Sequence, residues 1–190
     1  MTAENAVDVT QYLTFFVGGE EYAVGVLRVK EIIEYQPLTR VPSTPPWIRG
    51  VINLRGAVVP VVDLAAKFGL PEAAVTKRTC LVIVELALEG KRAVMGIVVD
   101  TVSQVMDLSA EDVEPAPPFG TQVRVDYLLG MAKVDKKFVL LLDIDRVLSA
   151  REVLASLDVP EGGPPQEAAP PPARKRHRRE GPVSRSVAEE

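Results

Sequence analysis

Few residues in this chain could break or make a bond. Its one histidine, His177, lies in a Pro-rich, charged C-terminal stretch, so neither Ser103 nor Ser109 has an evident base to activate it. Cys80, the single cysteine, opens a predicted strand, where a free thiol is most often a small buried hydrophobe; alone, it allows no intramolecular disulfide. Asp63, Asp100, Asp143 and Asp145 fall at predicted strand ends, where two carboxylates could work as acid and base or hold a divalent ion. Acids at such positions are more often helix caps and turn formers. With no phosphate-cradling Gly-rich loop and no Cys-x-x-Cys pair, the chain reads as a non-enzyme that takes no metal and no cofactor.

What remains is chemistry for binding. Arg55 stands between an apolar run and Gly56, at a turn, where its planar fork of donors suits a carboxylate or amide. Glu31, in Val29-Lys30-Glu31-Ile32-Ile33, can pair with it or with a partner. Trp47 follows the stiff Pro45-Pro46 step and suits either an interface anchor or a plug at the end of a barrel. In the C-terminal stretch, Arg174, Lys175, Arg176, Arg178 and Arg179 form a basic block of the kind that holds nucleic-acid phosphates or an anionic membrane; a solvated linker end is the commoner outcome.

These groups need a scaffold, and composition indicates its type. Of 190 residues, 47% are apolar and 25% charged, a globular mixture, while only 5% are aromatic, so the core is built from branched aliphatics. The net charge of -4 argues against a protein that coats nucleic acid as a whole. No signal segment and no apolar run of about 18 residues indicates export or a membrane span, so a cytosolic location is expected. Residues 158–190 hold seven of the 16 prolines and almost no large apolar side chain, and are expected to be disordered, as are residues 1–9. One domain, residues 10–157, is left between them.

That domain reads as all-β with a few short helices. Strands are predicted at Tyr12 to Val17, Glu21 to Val26, Val51 to Leu54, Ala57 to Val62, Cys80 to Leu88, Ala93 to Val99, Gly130 to Val134 and Phe138 to Leu142. Pro60 lacks a ladder donor, which predicts an edge strand or a bulge there. A short helix from Asp63 to Phe68 should stop at Gly69, and Val147, Ala150, Leu154 and Leu157 share one face of an amphipathic helix near the end.

The chain also repeats itself. Gly50 to Leu64 matches Gly130 to Ile144 at an offset of 80, in pattern more than identity, and Ala23-Val24-Gly25-Val26 resembles Val94-Met95-Gly96-Ile97. Two copies of a hairpin-rich unit suggest two small barrels or sandwiches sharing a core, since closure hides strand edges.

At these residues a family resemblance becomes specific. Glu21-Tyr22, Val29-x-Glu31-Ile32, Val41-Pro42, Pro45-Pro46-Trp47-Ile48-Arg49-Gly50-Val51-Ile52-Asn53-Leu54-Arg55-Gly56 and Val59-Pro60-Val61-Val62-Asp63-Leu64 resemble the CheW family of chemotaxis coupling proteins. Gly96-Ile97-Val98-Val99-Asp100-x-Val102, Pro115-Ala116-Pro117 and Tyr127-Leu128-x-Gly130 continue the pattern, which covers about Thr10 to Leu157 and leaves the basic tail outside. The resemblance implies two SH3-like five-stranded β-barrels around a shared core, with no catalysis. It also implies a cytoplasmic adaptor, recruited to receptor arrays, that couples methyl-accepting chemoreceptors to the regulatory domain of a CheA-type histidine kinase. By motif position, Arg55, Glu31, Val98 and Val102 would meet the receptor tip, and Leu38, Val41, Arg49 and Gly50 the kinase. An alternative keeps the scaffold and gives its basic tail a second role on nucleic acid or an anionic membrane.

Overall fold

The computed structural model describes residues 9–88, 91–116 and 123–149, and these form a mostly β structure of two sheets. In chain order the strands are β1 (Val9–Val17), β2 (Glu20–Gly25), β3 (Val29–Glu34), β4 (Ile48–Leu54), β5 (Ala57–Asp63), β6 (Cys80–Leu88), β7 (Lys91–Val99), β8 (Thr101–Ser109), β9 (Val113–Glu114), β10 (Leu128–Val134) and β11 (Lys137–Leu142). Two single-turn helices, α1 (Leu64–Lys67) and α2 (Ile144–Val147), each follow a hairpin and start at an aspartate.

One sheet has the order β8-β1-β2-β11-β10-β9, the other β3-β6-β7-β5-β4. Each mixes strands from both halves of the chain. The β1–β2 hairpin pairs in parallel with β11, and the β6–β7 hairpin in parallel with β5, so neither half forms a sheet alone. The expectation of one closed barrel per repeat therefore gives way to two open ladders, one of six strands and one of five, that exchange strands. A shared core is observed. The largest buried cluster draws Phe15, Tyr22 and Val24 from the first sheet and Val62, Val84 and Ile97 from the second. Alternation along the strands serves a second layer: Ala23, Val139 and Leu141 form a separate cluster in one sheet, and Ile52, Val61, Leu81 and Ile83 in the other.

The internal repeat extends to backbone detail. Strand β4 kinks between Ile48 and Gly50, and β10 between Leu128 and Gly130, the same two steps 80 positions apart. A Cβ on Gly50 would stand 2.3 Å from the Thr39 carbonyl oxygen, and one on Gly130 2.8 Å from that of Glu114. Both glycines let a second strand come close: Thr39 bridges Val51, and Glu114 pairs with Met131. The second sequence match is real but two residues out of register. Gly96 pairs with Val61 and Ala23 with Leu141, so Ala23 corresponds to Gly96 rather than to Val94.

Pro60 lies in an interior strand, not an edge. Val51, its partner on β4, exchanges both backbone hydrogen bonds with Thr39 on its other side, so Pro60 owes that partner no donor. On the β7 side the ladder starts only at Val61, and the bulge sits across the pair, on β4. Strands β3, β8 and β9 were not predicted: β3 has only half-buried and exposed residues, Ser103 and Gln104 break the pattern of β8, and β9 is two residues long. The amphipathic helix with Ala150, Leu154 and Leu157 lies outside the described residues, as does the tail; Val147 belongs to α2 instead.

Candidate partner-binding site

The β4–β5 hairpin turns on Arg55 and Gly56, both with positive φ, 52° and 88°. Two left-handed residues match the twist of the flanking strands, and Asn53 fixes the turn by accepting the Gly56 amide at 2.8 Å. Asn or Gly would be the ordinary choice for the first of these positions. Arg55 holds it instead, with its side chain 79% exposed, and donates from Nη1 and Nη2 to Glu31 Oε1 and Oε2 at 3.1 and 2.9 Å. The pairing expected for these two residues is therefore present, in the bidentate geometry that matches a guanidinium to a carboxylate. Exposed Ile32 follows Glu31 on the opposite face of β3, and Val58, 71% exposed, lies three residues beyond Arg55 on the same hairpin.

Val98 and Val102 are not beside this pair in the ladders. Val98 is half-buried on β7 opposite Asp63 and packs against the inner cluster of its own sheet, while Val102 pairs with Phe15 in the other sheet and packs on the shared core.

Leu38, Val41, Arg49 and Gly50 are brought together by the segment between β3 and β4. Val41 and Arg49 line one cavity of about 330 Å3 with Arg40, Thr44, Pro45 and Pro46. Thr44 closes a turn by donating to the Val41 carbonyl at 2.9 Å. Arg49 is committed within the chain: Nε donates to Asp63 Oδ2 and Nη1 to Glu72 Oε1, each at 2.7 Å. Partial burial alone would lower the Arg49 pKa, but the bonds to Glu72 and Asp63 raise it, so the guanidinium stays charged. Leu38 packs into the inner cluster, and Gly50 is buried against Thr39, shaping this surface without contributing a side chain to it. Trp47 is half-buried on the shared core with the Lys67 ammonium 3.9 Å from its ring centroid, nearer the plug than the anchor.

The aspartates considered for catalysis have structural work. Asp63 and Asp143 accept from the amides of Ala66 and Arg146 as helix caps, Asp100 accepts from Gly18 and Asp145 from Ala87. Ser109 is bound to Asp112 in a capping box, and that carboxyl is held below its ordinary pKa by the Ser109 hydroxyl and amide. Cys80 is half-buried on the shared core and donates to the Arg78 carbonyl. Among the described residues no three His, Cys, Asp or Glu side chains converge on a point that could hold a metal ion. No helix there is long and apolar enough to cross a membrane. The block formed by Arg174, Lys175, Arg176, Arg178 and Arg179 lies outside the described residues. Sequence reasoning missed the exposed Ile32 and Val58; β-branched residues in a strand read as core unless the register of their neighbours is known.

Comparison with known proteins bears on this geometry. Residues 11–152 match the family model described as the CheW-like domain. The chemotaxis protein CheW of Klebsiella aerogenes is 39% identical over 143 residues, covering 75% of this chain and 84% of that protein. That of Bacillus subtilis is 36% identical over 149 residues, with 78% and 92% covered, and protein FrzA of Myxococcus xanthus is 31% identical over 140 residues, with 73% and 84% covered. Among solved structures, the scaffolding protein TtCheW from Thermoanaerobacter tengcongensis matches with a TM-score of 0.65 and 30% identity, over 76% of this chain and 90% of that one. With its duplicated hairpins, shared core and Asn-Leu-Arg-Gly turn all in place, the chain belongs to the CheW family of chemotaxis adaptor proteins.

Proposed function

We propose that the chain is a non-enzymatic cytoplasmic adaptor that holds the tip of a methyl-accepting chemoreceptor and the regulatory domain of a CheA-type histidine kinase on one rigid body within a receptor array. The observation that carries this reading is Arg55, kept at a left-handed turn position where a smaller residue would fit better, solvent-exposed and oriented by Glu31. A pre-oriented guanidinium on the hairpin that also exposes Val58 suits a helical hairpin tip, with apolar anchors supplying most of the affinity and charge setting register. Val98 and Val102 complete the receptor surface in this reading. Leu38 and Val41 contact the kinase, on a surface shaped by Gly50 and by the Arg49 ion pairs.

Each sheet is taken here as an SH3-like barrel whose hydrogen-bonded ladder is left open. Two features support the barrels: each sheet has an apolar cluster of its own besides the shared one, and Arg55 joins opposite edges of the five-stranded sheet. Signalling requires that receptor states differ in affinity or geometry at this body, because equal binding to both shifts nothing.

Arg55→Glu tests the reading. The turn charge is not part of the core, so the fold should survive while capture of receptor tips in a pull-down falls by about tenfold or more and capture of the kinase regulatory domain persists. Unchanged receptor capture would refute the receptor assignment.

A further inference from the structure

We propose that the six-stranded sheet carries a second docking point, at the mouth between β8 and the β10–β11 turn, which takes an acidic side chain from a partner protein. The internal repeat identifies the place. Glu31 faces Ile83 across the β3–β6 ladder, and Ile83 pairs with Gly96. The corresponding path in the other sheet runs from Ala23 to Thr14, and Thr14 faces the bulge of β8 formed by Ser103 and Gln104. Ser103 and Gln104 thus stand where the five-stranded sheet has Glu31, and Asp135 stands where it has Arg55, again with positive φ, 56°.

The clasp is absent at this second mouth. In its place is a cavity of about 420 Å3, lined among others by Ser103, Gln104, Lys136 and Lys137. Both lysines are exposed, and among the described residues neither forms an ion pair; the Ser103 hydroxyl and the Gln104 amide side chain likewise have no hydrogen-bond partner there. One half of the molecule therefore supplies a carboxylate from its own edge strand, and the other offers ammonium, amide and hydroxyl donors to which, among the described residues, no carboxylate is bonded. Asp135 and Glu21 also line the cavity, so the mouth suits a single carboxylate rather than a polyanion. Phe138, 54% exposed, follows Lys137 at the position equivalent to Val58, giving the same apolar flank as at Arg55. This site is independent of the receptor assignment: it uses none of the residues on which Arg55→Glu reports.

The test is amide NMR on the full chain with two blocked glycine-rich pentapeptides, one carrying a single central glutamate and the other a single central glutamine, at low salt. Saturable shifts at Ser103, Gln104, Lys136 and Lys137 with the acidic peptide alone are expected. Gln104→Glu, which supplies the carboxylate from within, and separately the double change Lys136→Gln with Lys137→Gln, should each weaken binding about tenfold while leaving distant amide positions unmoved. Equal binding of the neutral peptide, undiminished binding by both variants, or shifts spread evenly over lysines and arginines elsewhere would overturn the proposal.

Discussion

Arg55 reaches from the β4–β5 turn to Glu31 on β3 and so ties together the two edges of one five-stranded sheet. Edges four strands apart in the ladder can share an ion pair only if the sheet curls back on itself. The pair adds little stability, because an exposed ion pair contributes about 0–1 kcal/mol, whereas a left-handed backbone costs a residue with a Cβ about 1–2 kcal/mol. Arginine at this position is therefore better explained by a partner than by the fold.

Arg55→Asn separates these two explanations. Asparagine tolerates the left-handed conformation and should relieve the turn about as much as loss of the ion pair costs. Thermal denaturation should show a melting temperature within about 3 °C of the parent, with receptor capture reduced. A large drop in melting temperature would make the clasp structural.

Gly50 and Gly130 make a paired prediction about the repeat. A methyl group at Gly50 would clash with backbone at 2.3 Å, at a φ of 146°, and one at Gly130 would meet the Val113 side chain at 2.6 Å and Glu114 backbone at 2.8 Å. Gly50→Ala should cost about 3 kcal/mol or more and Gly130→Ala about 1–3 kcal/mol, seen as lower urea midpoints. Gly25→Ala, with open space around its Cβ, is the control and should change stability by less than about 1 kcal/mol. Equal midpoints for all three would mean that the close strand approaches are not maintained in solution.

How far the sequence disclosed this arrangement follows from the range of the forces involved. Hairpins bounded by Arg55-Gly56 or Asp135-Lys136, and the Asp63 cap, are local and were readable from turn chemistry and spacing. The duplication was visible because the same local solutions recur 80 residues apart. Which strands pair was not visible: β3 joins β6 and β8 joins β1 through contacts distant in sequence. For the same reason Pro60 could be recognised as a missing donor but not located in an interior strand, since its neutrality depends on Thr39 satisfying Val51. In the site, Glu31 and Arg55 were legible as a pair from their types, whereas the open mouth at Ser103 and Gln104 needs the β8 bulge to be seen.

Acid should uncouple one surface network. Glu85 accepts from Lys30 at 2.6 Å and from Arg92 at 3.1 Å, and the Lys30 bond, followed by the charges of Lys30 and Arg92, holds the Glu85 carboxyl below its ordinary value of 4.5. A depressed folded value means that the contribution is present above the unfolded pKa and lost as pH falls through the folded one. The difference in melting temperature between the parent and Glu85→Gln should therefore be present at neutral pH and shrink in acid below 4.5. A pH-independent difference would show that the substitution acts through packing.

Asp63 and Asp143 occupy equivalent caps and should still differ in importance. Both accept a helix amide, from Ala66 and Arg146 respectively. Asp63 is buried and also holds Arg49 at 2.7 Å, whereas Asp143 has the exposed Arg146 as its salt-bridge partner at 3.1 Å. Removing Asp143 to alanine should cost about 1 kcal/mol, the usual value of a cap. Asp63→Ala loses a cap and leaves Arg49 with Glu72 alone, which should cost about 2–4 kcal/mol. Asp63→Asn keeps the cap oxygen and should fall between the two. Because Arg49 also frames the Val41 cavity, Asp63→Asn is expected to weaken kinase capture in proportion to the disorder it introduces there, with receptor capture unchanged. Equal losses for Asp63→Ala and Asp143→Ala in urea titrations would show that the Arg49 ion pair contributes nothing to stability.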